Sequence, residues 1–600
     1  MHLRLSLVGH WCGRRLAVFT RRWLAAGTRC PAGAAGFDAA SPQSDRDLAR
    51  LAVRFVVPTH CCVSEPAEQW DAVVIGQKKR AGYQLMKSRI CLRGGLVADG
   101  VGATFQRADV LVDGQVIASV GMIGALPADC EVIDLAPGSV VCPGFIDAHV
   151  HAEGPLLATG RVNGALAQGV TTLVVGQDGQ SWIGANAETV RYLNRYFAPV
   201  NGKLEPVRDL SVAGFRDALA GRLTQNVAVL ASQGTIRHNI VGMTPGPLSR
   251  PERAAAQREV DNALAAGAVG LSSGLDYLPS RFGNVEEVTD FVRPLAAAGR
   301  PYVSHLRGYG PDVRAGLDEL VAVGRRAGVR VHASHLWGTP ADIAAAFQAA
   351  DDGGVEITFD MYPYRRSSTI LASLLLPAEV QAHGPEQTLA ALASSQQRAA
   401  LLATERLADS YLRHLYLGCL PDSAAEFAGL SVTQAAASCS RPAGEWVLDL
   451  LLNAELNVGA QLDRPSLTDE GLAWLADHDR HCAGSDGIYQ GQQPHPRGYA
   501  SFARLAEHYL AGGPETGFQH LARHLAANAA DAYSLRDRGR ITPGLAADLC
   551  VIGPGKVTAR ATEDAPVEKA TGVDLVIVNG AIAWRDGQPV TAQAAGRIVS

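Results

Sequence analysis

The chain has 600 residues, 47% hydrophobic and 19% charged, with a formal net charge of −5. This length can bury a large core, and an α/β barrel often runs past about 250 residues as one unit. The weak negative charge gives no basic field for nucleic acid or an anionic membrane, and no apolar run approaches the ~18 residues needed to cross a bilayer, which leaves a globular protein acting on small molecules.

Eleven cysteines form no Cys-x-x-Cys pair, and Cys61-Cys62 is the only close pair. Neither a disulfide framework nor a zinc ribbon follows, so the expected compartment is reducing and cytoplasmic.

Residues 1–85 read differently from the rest. Arg4, Arg14, Arg15, Arg21, Arg22 and Arg29 all precede the first acid, Asp38, and no helical or strand period is sustained. The segment suits either a transit peptide or residues upstream of a true start at Met86; the second reading is favoured because patterned sequence begins there.

From Ile90 the chain turns to short β-like runs at 90–92, 108–114 and 116–120, and matching runs recur at 547–552, 573–580 and 581–584, with Asn579-Gly580 as a hairpin turn. One small β-sandwich built from both ends, 86–143 and 541–600, is expected. Between them, at 144–540, apolar strands alternate with Ala-rich helical segments such as 254–266 and 313–327. Eight strands, at 144–151, 171–179, 226–234, 269–275, 301–307, 330–336, 356–364 and 481–486, predict a closed (β/α)8 barrel. The gap before the last strand is too long for one crossover, so an inserted subdomain at about 371–445 is expected, with a helix over 388–414 placed as a lid.

Function in such a barrel sits at the carboxyl ends of the strands. His149 and His151 stand two apart at the end of the first strand and so face the same side. Other strand ends carry Asp178, His305, His335 and Asp486. Each alone reads as a strand-end cap or turn residue, but six N and O donors at the ends of barrel strands predict a divalent metal centre, with zinc suited to the mixture.

These residues sit in Pro-Gly-Phe-Ile-Asp-Ala-His-Val-His, Gly-Val-Thr-Thr, Gly270-Leu271-Ser272-Ser273-Gly274-Leu275-Asp276-Tyr277, Ser304-His305-Leu306-Arg307, Phe359-Asp360-Met361-Tyr362-Pro363-Tyr364, Gly484-Ser485-Asp486-Gly487 and His495-Pro496-Arg497. From about Ile90 onward the chain thereby resembles the amidohydrolase superfamily and, within it, the D-aminoacylase (N-acyl-D-amino-acid deacylase) family. The resemblance implies a tighter zinc held by His305, His335 and Asp178, and a weaker second divalent site lined by His149, His151 and Asp486. It departs at three places: Asp178 stands where the family usually has Cys, Trp337 where it commonly has Lys, and Gln233 where it tends to have His. Independently of family, no lysine occurs from 204 to 555, so strands three to eight hold no carbamylated bridging lysine, and Asp178 is the best remaining bridge.

Asp486 is the expected proton shuttle, because an amide nitrogen must be protonated to leave. A substrate carboxylate calls for a cation and hydroxyl donors, and Arg497 with Tyr362 or Tyr364 can supply them; Trp337 and Ser273 complete the candidate binding set. The expected activity is hydrolysis of the amide of an N-acyl-D-amino acid or a related D-configured compound. A D-specific dipeptidase, a cyclic amidase and a non-catalytic scaffold are the alternatives. The oligomeric state is open.

Overall fold

The computed structural model describes residues 89–600, apart from 103–104, 205–209, 556 and 591–593. The expected N-terminal extension and the alternative start at Met86 lie outside the described residues.

All eight barrel strands are present: Phe145–Asp147, Val170–Val175, Asn226–Ser232, Gly270–Gly274, Tyr302–His305, Val331–Ala333, Ile357–Met361 and His481–Ala483. They pair in parallel in that spatial order. The ring closes between last and first, where the Ala148 N–H donates to the Ala483 carbonyl at 3.0 Å and Val150–His151 pairs with Gly487–Ile488. Strands covered on both faces need continuous apolar or small residues rather than alternation. Val-Thr-Thr-Leu-Val-Val of the second strand, buried at every position, meets that need.

The intervening helices bury one stripe each. In Val313–Ala327 the buried Val313, Leu317, Leu320 and Gly324 recur at helical spacing, and the helix stops at Gly328 in the left-handed conformation, φ 69°.

The strands from both ends form one nine-stranded sheet in which Val140–Pro143 lies between Arg89–Ala98 and Leu549–Ile552. The sheet curls back on itself: the Ile117 N–H donates to the Leu545 carbonyl at 2.9 Å, and Gly544 returns a bond to Ile117 at 2.8 Å. Ile90, Leu92, Val110, Val141, Leu549 and Ile577 share its core. The Asn579-Gly580 turn has φ of 45° and 79°, positive at both central residues as a type I′ hairpin requires.

The insertion differs from its expected form. It carries a three-stranded antiparallel sheet of Arg366–Ile370, Gly459–Asp463 and Leu415–Cys419, two of whose strands fall outside 371–445. The single helix expected over 388–414 is instead Pro385–Ala393, Ser395–Leu402, a turn at Glu405–Leu407 and Asp409–Leu412. The break has a local cause. The Ser394 hydroxyl accepts a bond from the Gln397 N–H and starts a new helix, offering the backbone an alternative to continuing the old one.

Candidate metal centre

The barrel strands deliver the six candidate ligands to one end. His149 and His151 follow the first strand, Asp178 lies just past the second, His305 ends the fifth, His335 lies two residues past the sixth, and Asp486 lies three past the eighth. Asp178, His335 and Asp486 have φ of 55°, 35° and 47°, in the left-handed region that costs a side-chain-bearing residue ~1 kcal/mol or more. Neighbouring contacts hold each one there. The His335 N–H donates to Asp360 Oδ1 at 2.9 Å, the Asp486 N–H to the His149 carbonyl at 2.8 Å, and the Gly179 N–H beside Asp178 to Ser272 Oγ at 3.0 Å. Close approach does the rest, since a Cβ on Gly274 would sit 2.2 Å from the Asp178 carbonyl oxygen.

Two groups of ligand atoms form, His149, His151, Asp178 and Asp486 in one and Asp178, His305 and His335 in the other, each with all its atoms within 4.8 Å of one another. Asp178 belongs to both. Its Oδ1 lies 3.5 Å from His149 Nε2 and 3.5 Å from His335 Nε2, while Oδ2 lies 3.5 Å from His151 Nε2 and 3.7 Å from His305 Nδ1. Each carboxylate oxygen thus faces one histidine from either group, the geometry of a bridging ligand. Asp486 Oδ1 stands 3.4 Å from His151 and 3.7 Å from His149.

The donor set fits a divalent cation. His149 Nε2 and Asp178 Oδ1 are buried, converge with the other donors, and make no hydrogen bond. Buried polar atoms ordinarily find partners, so these two unpartnered atoms, converging with the other donors, mark a cation site.

The histidine shifts report the negative charge gathered in the cluster. Burial alone would lower His151, but its hydrogen bonds to Asp178 and Asp486 outweigh that and raise it to about 10. Burial likewise opposes the rise in His149, which Asp360 and Asp178 produce. Burial would raise Asp178, yet the surrounding histidines, His149 first, hold it well below the usual carboxylate range. The carboxylates thus stay ionised and attract positive charge into the cluster.

A supporting layer orients these ligands. Asp360 Oδ2 accepts from His332 Nε2 at 3.0 Å and lies 3.4 Å from His149 Nδ1, while His332 Nδ1 contacts Thr358 Oγ1 at 2.8 Å. Asn201 Oδ1 stands 3.2 Å from His151 Nδ1. Asp147 accepts from the Ser485 N–H and hydroxyl at 2.8 and 2.6 Å, tying the first strand end to the last. His332 and Asn201 escaped sequence reasoning because neither lies in a strand-end motif; Asp360 lay within a quoted motif, but its orienting role did not show.

The cluster opens into a cavity of about 1160 Å³ whose wall includes His151, Asp178, His305, His335 and Asp486. Of the candidate substrate-binding residues, Trp337 and Tyr362 line it and the other three do not. Arg497 is fully buried, with Nη1 2.7 Å from Asp486 Oδ2. Tyr364 packs under Arg504, whose guanidinium lies 4.3 Å from its ring centre, and Ser273 Oγ bonds Tyr302 at 2.6 Å and Ser304 at 3.0 Å. Arg464 lines the cavity and was not anticipated from the sequence.

The Amidohydrolase family model matches residues 376–583. The N-acyl-D-glutamate deacylase of Alcaligenes xylosoxydans xylosoxydans is 31% identical over 86% of this chain and 96% of its own length. Among solved structures, the N-acyl-D-glutamate deacylase of Bordetella bronchiseptica, complexed with zinc and a phosphonate that mimics the tetrahedral intermediate, superposes with a TM-score of 0.72 at 27% identity, covering 86% of this chain and 99% of that one. A D-aminoacylase with a binuclear metal centre gives a TM-score of 0.68 at 28% identity, covering 85% and 99%. With that coverage, a barrel carrying the same sheet from both chain ends, and a buried His/Asp cluster at its mouth, the chain belongs to the N-acyl-D-amino-acid deacylase (D-aminoacylase) family of metal-dependent amidohydrolases.

Proposed function

We propose that this enzyme hydrolyses the amide of N-acyl-D-amino acids, with His305, His335 and Asp178 holding the tighter zinc and His149, His151 and Asp486 lining a weaker second site. The observation that carries the reading is Asp178, shared by both groups of donors with one histidine of each facing each of its oxygens. The zinc of one relative and the binuclear centre of another support it. A divalent ion held there would bring a water's pKa from 15.7 toward about 7 and polarise the substrate carbonyl.

The chain's own residues do the rest. Arg497 grips Asp486 through Oδ2 and leaves Oδ1 toward His149 and His151. Burial would raise Asp486, but Arg497 and His151 keep it low and ionised, ready to accept a proton and pass it to the departing amine. Asp360 orients His149 from behind. The insertion supplies part of the cavity wall through Leu374, Pro377 and Glu405, in keeping with a covering role. Residence in the cytoplasm is supported by the cysteine pattern.

The test is a panel of N-acetyl and N-succinyl amino acids and dipeptides in D and L forms, with zinc, manganese or cobalt and with metal analysis of the purified protein. Metal-dependent cleavage of D compounds is expected. Purification without stoichiometric metal, or turnover confined to L compounds, would falsify the reading.

A further inference from the structure

A column of hydrogen bonds runs down the inside of the barrel behind the metal centre. Asp360, near the end of the seventh strand, is fully buried. Its two oxygens serve different donor groups: Oδ1 accepts from the His335 main-chain N–H at 2.9 Å, and Oδ2 lies 3.4 Å from His149 Nδ1. Each group therefore has one ligand leaning on the same carboxylate. Turning it to suit one ligand would draw an oxygen away from the other, and the main chain crowds it, since a Cβ on Gly484 would meet Oδ1 at 2.7 Å.

What holds Asp360 lies one layer deeper. His332 Nε2 stands 3.0 Å from Oδ2, and Thr358 Oγ1 stands 2.8 Å from His332 Nδ1. A carboxylate only accepts, so the His332 proton sits on Nε2; Nδ1 then offers a lone pair, and the Thr358 hydroxyl donates to it. Without that hydroxyl the ring loses the bond that keeps its proton on the side of Asp360. The ring itself packs 5.5 Å from that of Tyr533, whose hydroxyl donates to the Ala148 carbonyl at 2.8 Å beside His149. Thr358 forms the foot of the column, in the wall of a separate cavity of about 260 Å³ with Glu356, Asn528 and Asp531. Among the described residues, the wall of the substrate cavity includes none of Asp360, His332 and Thr358.

We propose that His332 and Thr358 are positioning residues for both metal sites at once: Thr358 fixes the His332 tautomer, His332 anchors Asp360, and Asp360 holds His149 and His335 for their separate ions. The inference rests on the two-site reading above and goes beyond it by giving the two sites one shared support.

The test is a zinc titration of the metal-free full chain against a competing chelator, which reads both affinities without reference to turnover. Thr358→Val keeps the branched outline and deletes the hydroxyl, so both affinities should weaken roughly 10- to 100-fold, the range that follows loss of a metal ligand's outer partner. Thr358→Ser does the reverse, keeping the hydroxyl and deleting a methyl, and should bind like the wild type. Packing alone would order the two variants oppositely. His332→Leu should lose as much as Thr358→Val, and adding Thr358→Val to it should bring no further loss, because the hydroxyl then has no ring to hold. Weakening at one site only or at neither, a greater loss in Thr358→Ser than in Thr358→Val, or a further loss in the double variant would overturn the proposal. A wild type that binds fewer than two zinc ions removes the two-site reading as well. One that binds two but cleaves no compound in the panel removes the deacylase reading and leaves this inference standing.

Discussion

Asp486 and Arg497 form a buried pair in which each partner's burial is tolerated because of the other. Asp486→Asn keeps shape and suits the left-handed φ, which asparagine accepts readily, but it removes the proton acceptor. We expect kcat to fall by ~10²- to 10⁴-fold. The same change strands the Arg497 charge, so stability should fall by about 3 kcal/mol in denaturant unfolding. Adding Arg497→Met should restore most of that stability and none of the turnover. If the double variant were no more stable than Asp486→Asn alone, the pair would not be coupled as its 2.7 Å contact implies.

At the scale of elements, the barrel strands aim their donors through backbone placement as much as through side-chain choice. The fourth strand contributes no ligand, yet Gly274 at its end lets the chain pass against Asp178. Gly274→Ala should overpack that contact by about 1–3 kcal/mol and displace the bridging carboxylate. Zinc content should then drop in metal analysis although every ligand is intact; full zinc occupancy would count against backbone aiming. The same elements show what a sequence can disclose. His149, His151, Asp178, His305, His335 and Asp486 were legible because apolar runs of strand length end on them, and a parallel barrel gathers such ends at one rim. Arg464 was not legible, because it follows an antiparallel strand of the insertion and reaches the Tyr364 carbonyl from 100 residues away. Nor was the segmentation of 388–414, where Ala-rich composition suggested a long helix and one serine hydroxyl was enough to restart it. Arg497 shows a third case. Its motif was plain, but only the fold shows the guanidinium set 2.7 Å from Asp486.

Across the whole molecule, acid should weaken the fold by a route separate from the metal centre. His524 is buried between Tyr509 and His481, with His520, Asn528, Arg523 and Asp479 around it. Burial, only partly offset by a hydrogen bond to the His481 carbonyl, lowers it from 6.5 to about 4. In the unfolded chain it takes up a proton near pH 6.5, so its contribution is complete above that pH and is lost as pH falls toward 4, on the order of 3 kcal/mol in all. Tm measured on metal-free protein should decline over that window, and His524→Gln should flatten the decline; an unaltered slope would remove His524 as the cause.

The outer sheet, drawn from both ends of the described chain, has one more consequence. Because Val140–Pro143 is zipped to Leu549–Ile552 while the eighth barrel strand is laid beside the seventh, peptide continuity through the exposed turn at Ser440 and Arg441 is topologically redundant. Two separately translated pieces, broken between those residues, should find each other, co-purify without a linker and rebuild a working catalyst.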